Sequence, residues 1–215
     1  LVAHFFNSFL LGSTGGDLLK AYYAARETHH KKTEAVVTVV TQVVVDAKDP
    51  AFRHPSKPIG PFHSEREARL LQTHARFSMI EDAQRGWRRV VPSPDPVEIV
   101  ERDAILALVE RGFVGVAAGG GGIPVVRRGT SLQGVEAVID KDLTAARLAG
   151  DLHADVLLIL TDVSAVALHF GTPQQKWVSA LPLDEARGYM KNGAFGEGSM
   201  LPKVKAAVRF LENGG

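Results

Sequence analysis

The chain has 215 residues, 45% of them hydrophobic, and a formal net charge of +1. This length is enough for one large core or at most two small domains, and the balanced charge gives no indication of nucleic-acid binding. The absence of cysteine excludes disulfides and thiolate metal sites. No apolar run approaches the roughly 20 residues of a membrane span, and the opening segment lacks a basic leader. We therefore expect a cytoplasmic protein that acts without a membrane or a nucleic acid.

The first half of the chain alternates between helical and strand patterns. The segment 34–46 is β-branched and almost unbroken, which is typical of a strand buried on both faces of a parallel sheet. Pro96 and Gly112 stand where a helix favours proline and glycine. The expected elements are a helix over 17–32, a strand over 34–46, a proline-rich excursion over 49–62, a helix over 64–76 opened by Ser64, a small strand and loop over 81–96, and a helix over 96–112.

The second half continues this alternation after a strand that leads into a glycine run. The expected elements are a hairpin over 123–139 around Gly129-Thr130, a helix over 141–153, a buried strand over 154–161, a short strand over 163–171, and helices over 183–193 and 202–215. Strands that alternate with helices predict an α/β sheet covered on both faces.

Four consecutive glycines, Gly119 to Gly122, lie between two apolar runs. They are not a Walker A loop, because no Gly-Lys-Ser/Thr follows, and Pro124 breaks the dinucleotide fingerprint. A flexible linker mixes glycine with polar residues, which the flanks lack. A loop after a strand of an α/β sheet is where ligands bind, and glycine lets backbone N–H groups approach an anion. From the loop alone, a tight turn under a packed helix and an anion site both remain open.

Two lysines stand near predicted helix starts, where they oppose the macrodipole by about 0.3–1 kcal/mol each. Lys141 stands at the start of the helix predicted over 141–153, and Lys203 follows Pro202. Together with the glycine loop they indicate a shared anion, although both are equally explained as solvated surface lysines. Asp140 and Asp142 are candidates for an N-cap, for orienting Lys141, or for holding a metal.

Other polar residues carry weaker signals. Thr161-Asp162 ends the predicted strand over 154–161, where it either borders a nucleotide or caps a turn. Lys57 lies between prolines in the excursion, and simple exposure without a role is the alternative to a function. The eight histidines show no metal-ligand spacing, so we expect no metal site on protein ligands.

Several short sequence motifs of this chain occur together in one known family. They are SKPIGP at 56–61, GWRRVVPSP at 86–94, GGGGIPV at 119–125, VIDKDL at 138–143 and GSMLPK at 198–203. In this order they closely resemble the carbamate kinases of the amino acid kinase family. The resemblance implies a three-layer αβα sandwich with a mostly parallel central sheet, formed by one domain over 1–215 with a protruding lid over 47–95, usually as a homodimer.

The resemblance also implies an activity and a set of site residues. The reaction is reversible phosphoryl transfer between ATP and carbamate, typically run from carbamoyl phosphate and ADP toward ATP in arginine catabolism, with Mg²⁺ carried by the nucleotide. The implied catalytic residues are Lys57, Lys141 and Lys203; the carbamoyl and phosphate side is formed by Gly119, Gly120, Gly121 and Gly122; the nucleotide is bordered by Thr161, Asp162, Val163 and Met200.

The chain departs from the family pattern in its N-terminal part. Two glycine loops that normally precede the matching segments do not occur in it. We therefore expect an N-terminally incomplete chain, with exposed apolar surface, an unpaired sheet edge and little activity of its own. The alternatives are a related small-molecule kinase with another acceptor and a truncated, non-catalytic remnant.

Overall fold

A computed structural model describes residues 36–82, 85–196 and 200–215; the helix predicted over 17–32 lies outside them. Its strands are β1 Val36–Thr38, β2 Gln42–Val45, β3 Lys57–His63, β4 Ser78–Glu81, β5 Trp87–Val91, β6 Pro96–Ile99, β7 Val114–Val116, β8 Ile123–Arg128, β9 Ser131–Gly134, β10 Val166–Leu168 and β11 Lys176–Val178. Its α-helices are α1 Glu65–Ala75, α2 Arg102–Glu110, α3 Lys141–Asp151, α4 Leu183–Lys191 and α5 Met200–Glu212.

The segment predicted as one strand over 34–46 is divided into β1 and β2. β1 pairs in parallel with β7, whereas β2 pairs in parallel with β8 and antiparallel with β6. The break falls at Thr41, whose Oγ1 donates to the Val39 carbonyl at 2.9 Å and accepts from the Ala118 N–H at 2.8 Å. The prediction of a continuous strand was wrong, because Thr41 bonds to the segment before the glycine run.

The main sheet has the order β6-β2-β8-β9 and covers one hydrophobic core. The buried side chains of that core are Val43, Val45, Ile99, Ile105, Val126 and Ile139. β8 and β9 form the predicted hairpin, and Gly129 takes a φ of 60° at its turn. The α/β class is confirmed. Among the described residues, the parallel pairings are those of β1 with β7 and of β2 with β8, and the other pairings are antiparallel.

The helix predicted over 96–112 begins only at Arg102, because the preceding residues form β6. β6 pairs with β2, and the Glu101 carboxylate accepts from the Gln42 backbone N–H at 2.7 Å and from its Nε2 at 3.1 Å. Strand pairing across more than fifty residues thus outweighs the local helical pattern. The helical prediction over 96–101 was wrong for this reason.

A second sheet, in the order β3-β5-β4, is antiparallel and lies beside α1. α1 begins with a capping box, in which the Ser64 side chain accepts from the Glu67 N–H and the Glu67 carboxylate accepts from the Ser64 N–H. The proline-rich excursion over 49–62 contains a short helical turn, Pro50–Phe52, and then most of β3, of which Lys57 is the first residue.

The segment 154–161 was predicted as a buried strand, and that prediction was wrong. No strand of the described part of the chain pairs with it, and Val156, Leu158 and Leu160 are 75%, 78% and 65% exposed. The alternate residues Leu157 and Ile159 pack instead against the cluster formed by α3 and α5. The segment keeps a strand-like alternation, and its outer face matches the expectation of exposed apolar surface.

The C-terminal part combines a hairpin with two helices. β10 pairs with β11, a strand that the sequence pattern did not indicate, and the predicted strand over 163–171 shortens to Val166–Leu168. α4 and α5 pack against this hairpin, and α5 also lies along α3 through Ala206 and Phe210. None of the helices in the described ranges is long and apolar enough to cross a bilayer.

Candidate active site

The first turn of α3 is the point where the predicted site residues come together. The Asp140 carboxylate caps this helix by accepting from the Asp142 N–H at 2.9 Å. The hydroxyl of Thr144, one turn later, donates to the carbonyls of Gly121 at 3.0 Å and Asp140 at 3.2 Å. The glycine loop and the helix N-terminus therefore form one hydrogen-bonded unit.

Two of the predicted lysines bind the carboxylates of this turn. Lys57, from the start of β3, donates to Asp140, and Lys203, from α5, donates to Asp142 Oδ2 at 3.0 Å. Both carboxylates are almost fully buried. Of the roles left open for these two residues, the N-cap is confirmed for Asp140, and each carboxylate pairs with a lysine from a distant segment and not with Lys141.

The ion pair with Lys57 sets the protonation of Asp140. Burial raises the pKa of this carboxyl, but the hydrogen bond and the positive charge of Lys57 lower it, as do the backbone N–H groups of Asp142 and Leu143. The combined result is a pKa below the ordinary value. Asp140 is thus an anion that holds a cation beside the helix N-terminus.

Lys141 differs from the other two lysines. It is the first residue of α3, it is exposed, and it makes no ion pair with any residue in the described ranges. A cation at this position opposes the helix dipole, and an anionic ligand would remove that cost. Lys141 therefore has a charge that no described side chain compensates.

The glycine loop needs glycine at its second half for steric reasons. A Cβ on Gly121 would stand 2.3 Å from the Ile139 carbonyl oxygen, and one on Gly122 would stand 2.5 Å from Val43 Cγ2. Both also have positive φ angles, 107° and 83°. The loop is therefore pressed against β2 and the residue before the Asp140 cap, and it is not a linker.

The first half of the loop is open. Gly119 and Gly120 are exposed, and their N–H groups donate to no residue that the structure describes. Gly120 is left-handed, with φ 70° and ψ 5°, and follows a residue with helical angles. Successive right- and left-handed residues orient N–H groups into a concavity that binds anions. The geometry thus fits an anion-binding loop as well as a tight turn.

A separate cleft of about 440 Å³ lies beside α5. Thr161, Val163, Met200 and Lys203, all predicted site residues, line it together with aliphatic side chains from α4, α5 and β10. Asp162 is not in the lining; its carboxylate accepts from the Thr161 hydroxyl at 3.4 Å. Lys203 belongs both to this cleft and to the polar cluster at α3, so it joins the two parts of the site.

The chemistry of the donor set indicates how a divalent cation would be held. In the described part of the chain no three histidine, aspartate or glutamate side chains come close enough to hold a metal ion. The buried carboxylates of Asp140 and Asp142 are each taken by a lysine. These residues do not fit a resident metal on protein ligands, whereas lysines and loop amides fit the anionic groups of a nucleotide–metal complex.

Sequence reasoning missed three features of this cluster. The pairings of Asp140 with Lys57 and of Asp142 with Lys203 span 83 and 61 residues, and no local pattern signals them. Thr144 gave no signal because threonine is ordinary in a helix. The Asp-Lys-Asp motif was the sequence signal that could have indicated this cluster, since one N-cap needs only one of the two acidic residues beside the lysine.

Comparisons with known proteins identify the family. Residues 11–215 match the amino acid kinase family model, so the chain belongs to the amino acid kinase family. It is 53% identical over 180 residues to a carbamate kinase of Thermococcus kodakarensis, which covers 84% of this chain and 57% of that protein. It is also 53% identical over 178 residues to the carbamate kinase-like protein YqeA of Escherichia coli, covering 83% and 57%.

A solved structure agrees with these relatives. Carbamate kinase from Giardia lamblia bound to AMP-PNP matches with a TM-score of 0.74 and 40% identity, over 94% of this chain and 62% of that one. The amino acid kinase fold is therefore confirmed. The chain spans a little under three fifths of the length of these two curated relatives.

Proposed function

We propose that this protein catalyses reversible phosphoryl transfer between ATP and carbamate. The observation that carries the proposal is the convergence of Lys57, Lys203 and the glycine loop on the first turn of α3. Phosphoryl transfer needs in-line positioning and positive charge around the transferred group more than it needs covalent chemistry. A helix N-terminus, lysines and free loop amides supply that environment.

The polar cluster would bind the transferred group and the small acceptor. Carbamate is a small anion, which suits the exposed N–H groups of Gly119 and Gly120. Its oxygen would attack the terminal phosphorus as the bond to ADP breaks, and the reverse step would return the group to ADP. Lys141 and Lys203 would stabilise the charge on the phosphoryl oxygens, with Lys57 reaching the same group from β3.

The apolar cleft would take the nucleoside. Its aliphatic lining suits a base, and Thr161, Val163 and Met200 would border it, with Asp162 just outside. Lys203 at its edge would contact the nucleotide phosphates. Mg²⁺ carried by the nucleotide would neutralise charge between the phosphates.

We further propose that residues 47–95 act as a lid. This segment contains the β3-β5-β4 sheet and α1 and delivers Lys57 to the site. Arg89 of β5 also binds Glu136 at 2.5 Å, so two ion pairs join the second sheet to the segment around α3. A homodimer in the cytoplasm is part of the same proposal, by analogy with the relatives' family.

The direct test is ATP formation from carbamoyl phosphate and MgADP by the purified protein. We expect a low turnover that depends on both substrates and falls by a further factor of about 10²–10³ in Lys203→Met. Absence of ATP above the level of that variant would overturn the proposal.

A second candidate is a kinase of the same family with a different acceptor. It is favoured by the carbamate kinase-like relative, whose identity to this chain equals that of the Thermococcus carbamate kinase. A profile of small carboxylates and phosphates as acceptors, with ATP as donor, separates the two. A higher kcat/KM for any other acceptor than for carbamate would favour this second candidate.

A further inference from the structure

We propose that Thr41 and Thr144 are positioning residues that hold the two ends of the glycine loop in its anion-binding geometry. The proposal rests on the proposed function, because it assigns to these hydroxyls the affinity for the small anionic substrate. Both threonines are buried, at 4% and 0% exposure. Neither contacts a proposed ligand; each acts through loop backbone groups.

Thr144 holds the C-terminal end of the loop. Its hydroxyl donates to the Gly121 carbonyl at 3.0 Å and to the Asp140 carbonyl at 3.2 Å, and its own N–H also donates to Asp140 at 3.0 Å. Without the hydroxyl, the Asp140 carbonyl therefore keeps a partner, whereas the Gly121 carbonyl has no other donor among the described residues. The distinctive contribution of the Thr144 hydroxyl is the bond to the loop.

Thr41 holds both flanks of the loop. Its hydroxyl accepts from the Ala118 N–H at 2.8 Å, and its carbonyl accepts from the Ile123 N–H at 2.8 Å. Ala118 has a φ of 53°, a left-handed angle that is unfavourable for a residue with a Cβ. The hydrogen bond that Thr41 Oγ1 accepts from Ala118 offsets the cost of this backbone conformation and fixes the direction in which the chain enters the loop.

These bonds leave a defined pair of free donors. Gly121 donates to the Ala118 carbonyl at 2.9 Å and Gly122 donates to the Gly119 carbonyl at 3.4 Å. Among the four glycines, only Gly119 and Gly120 have N–H groups that donate to no described residue. If the threonine hydroxyls set the position of these two donors, removing a hydroxyl should weaken binding of the small anion. It should leave the nucleotide cleft unchanged, since other segments line that cleft.

The experiment compares Thr144→Val, which keeps the shape and removes the hydroxyl, with Thr144→Ser, which keeps the hydroxyl. Loss of one hydrogen bond of about 0.5–1.5 kcal/mol predicts a rise of about 3- to 10-fold in KM for carbamoyl phosphate in Thr144→Val. We expect the KM for MgADP to stay within about twofold by the same reasoning, and Thr144→Ser to restore the wild-type value. An unchanged KM for carbamoyl phosphate, or an equal rise in both KM values, would overturn the proposal.

Thr73→Val is the matched control. Thr73 also lies in a helix, and its hydroxyl donates to the carbonyl four residues earlier, Arg69, at 2.9 Å, but Thr73 is exposed and makes no side-chain hydrogen bond to the glycine loop. Its substitution should leave both KM values unchanged. A rise in KM for carbamoyl phosphate in this control, as large as in Thr144→Val, would mean that the effect is general to helix threonines and would overturn the assignment.

A second readout does not depend on activity. Amide hydrogen exchange at Gly121 and Gly122 should accelerate by about 3- to 10-fold in Thr144→Val, and similarly in Thr41→Val, because each loses one bond that orders the loop. If the wild-type protein forms no ATP, the proposed function fails, and the exchange rates still decide the positioning roles. Unchanged exchange at both glycines would overturn those roles whatever the activity.

Discussion

The helix–strand alternation of the sequence predicts both the first turn of α3 and a strand over 154–161, but only the helix forms as predicted. At α3, the buried polar side chains have partners within the described chain: Asp140 with Lys57, Asp142 with Lys203, and Thr144 with the loop. In the segment 154–161, one face packs on α3 and α5 while the other is exposed and apolar. Contacts within the described residues therefore specify the polar part of the site, whereas these residues cover only one face of the segment 154–161.

The glycine loop gives the strongest test of the first region. Gly121→Ala forces a Cβ to within 2.3 Å of a backbone carbonyl at a φ of 107°, whereas Gly119→Ala adds a Cβ in open space. We expect Gly121→Ala to lower the free energy of unfolding by at least about 3 kcal/mol and activity by about 10²-fold or more. Gly119→Ala should cost under about 1 kcal/mol. Urea denaturation and the ATP assay check both, and equal effects would mean that the loop is not packed as described.

The ion pair between Lys203 and Asp142 separates a ligand role from a structural role. Lys203→Met leaves a buried carboxylate without its partner, which costs about 3 kcal/mol of stability in addition to activity. Adding Asp142→Asn removes that charge, so the double variant should regain stability while activity stays about 10²–10³-fold below wild type.

Lys141 provides the comparison for this pair, since it is exposed and makes no ion pair in the described ranges. Lys141→Ala should reduce activity by about 10²-fold with under about 0.5 kcal/mol of lost stability. Parallel loss of stability and activity in Lys141→Ala, measured by thermal denaturation and turnover, would count against its being a ligand lysine.

The Asp140 cap predicts a pH dependence of stability. Because its pKa in the folded state lies below the ordinary value of about 3.9, its ionised form stabilises the fold above about pH 4 and that contribution is lost as the pH falls through the folded-state pKa. Asp140→Asn can still cap the helix but cannot ionise. The difference in free energy of unfolding between wild type and Asp140→Asn should therefore shrink below about pH 4.

Asp95, whose pKa is also lowered, is common to both proteins, so its contribution cancels in this difference. Urea titrations between pH 2 and 7 give the measurement. A difference that stays constant over this range would show that Asp140 and Lys57 do not form a charge pair in solution.

The smallest effects are expected on the outer face of the segment 154–161. Leu158→Ser changes a side chain that is 78% exposed, so it should alter stability by less than about 0.5 kcal/mol. Ile159→Ala, on the face packed against α3 and α5, should cost about 2 kcal/mol. A cost for Leu158→Ser as large as for Ile159→Ala would mean that the outer face is covered in solution.

The same contrast explains how much of the fold was predictable. The hairpin at Gly129 and the helices α1, α3, α4 and α5 were predicted, because capping residues, turn chemistry and periodicity are local. Strand identity was not predicted. Residues 96–99 form a strand because β2 pairs with them, and 154–161 form none because no described strand pairs with that segment. Strand formation depends on a partner that is distant in the sequence.

The candidate site divides in the same way. The glycine loop and the lysines could be singled out because bare backbone and misplaced cations are visible in a sequence. Their carboxylate partners and the buried Thr144 could not, since those contacts join segments far apart in the chain.

Turnover by the Lys203→Met, Asp142→Asn double variant is the most direct test of the proposed role of Lys203, with carbamoyl phosphate and MgADP as substrates and wild type as reference. We expect this variant to unfold at nearly the wild-type urea concentration and to form ATP about 10²–10³-fold more slowly. A folded double variant that forms ATP within about threefold of the wild-type rate would contradict this role of Lys203. A decrease of that size is smaller than the loss of one hydrogen bond to a charged group would cause.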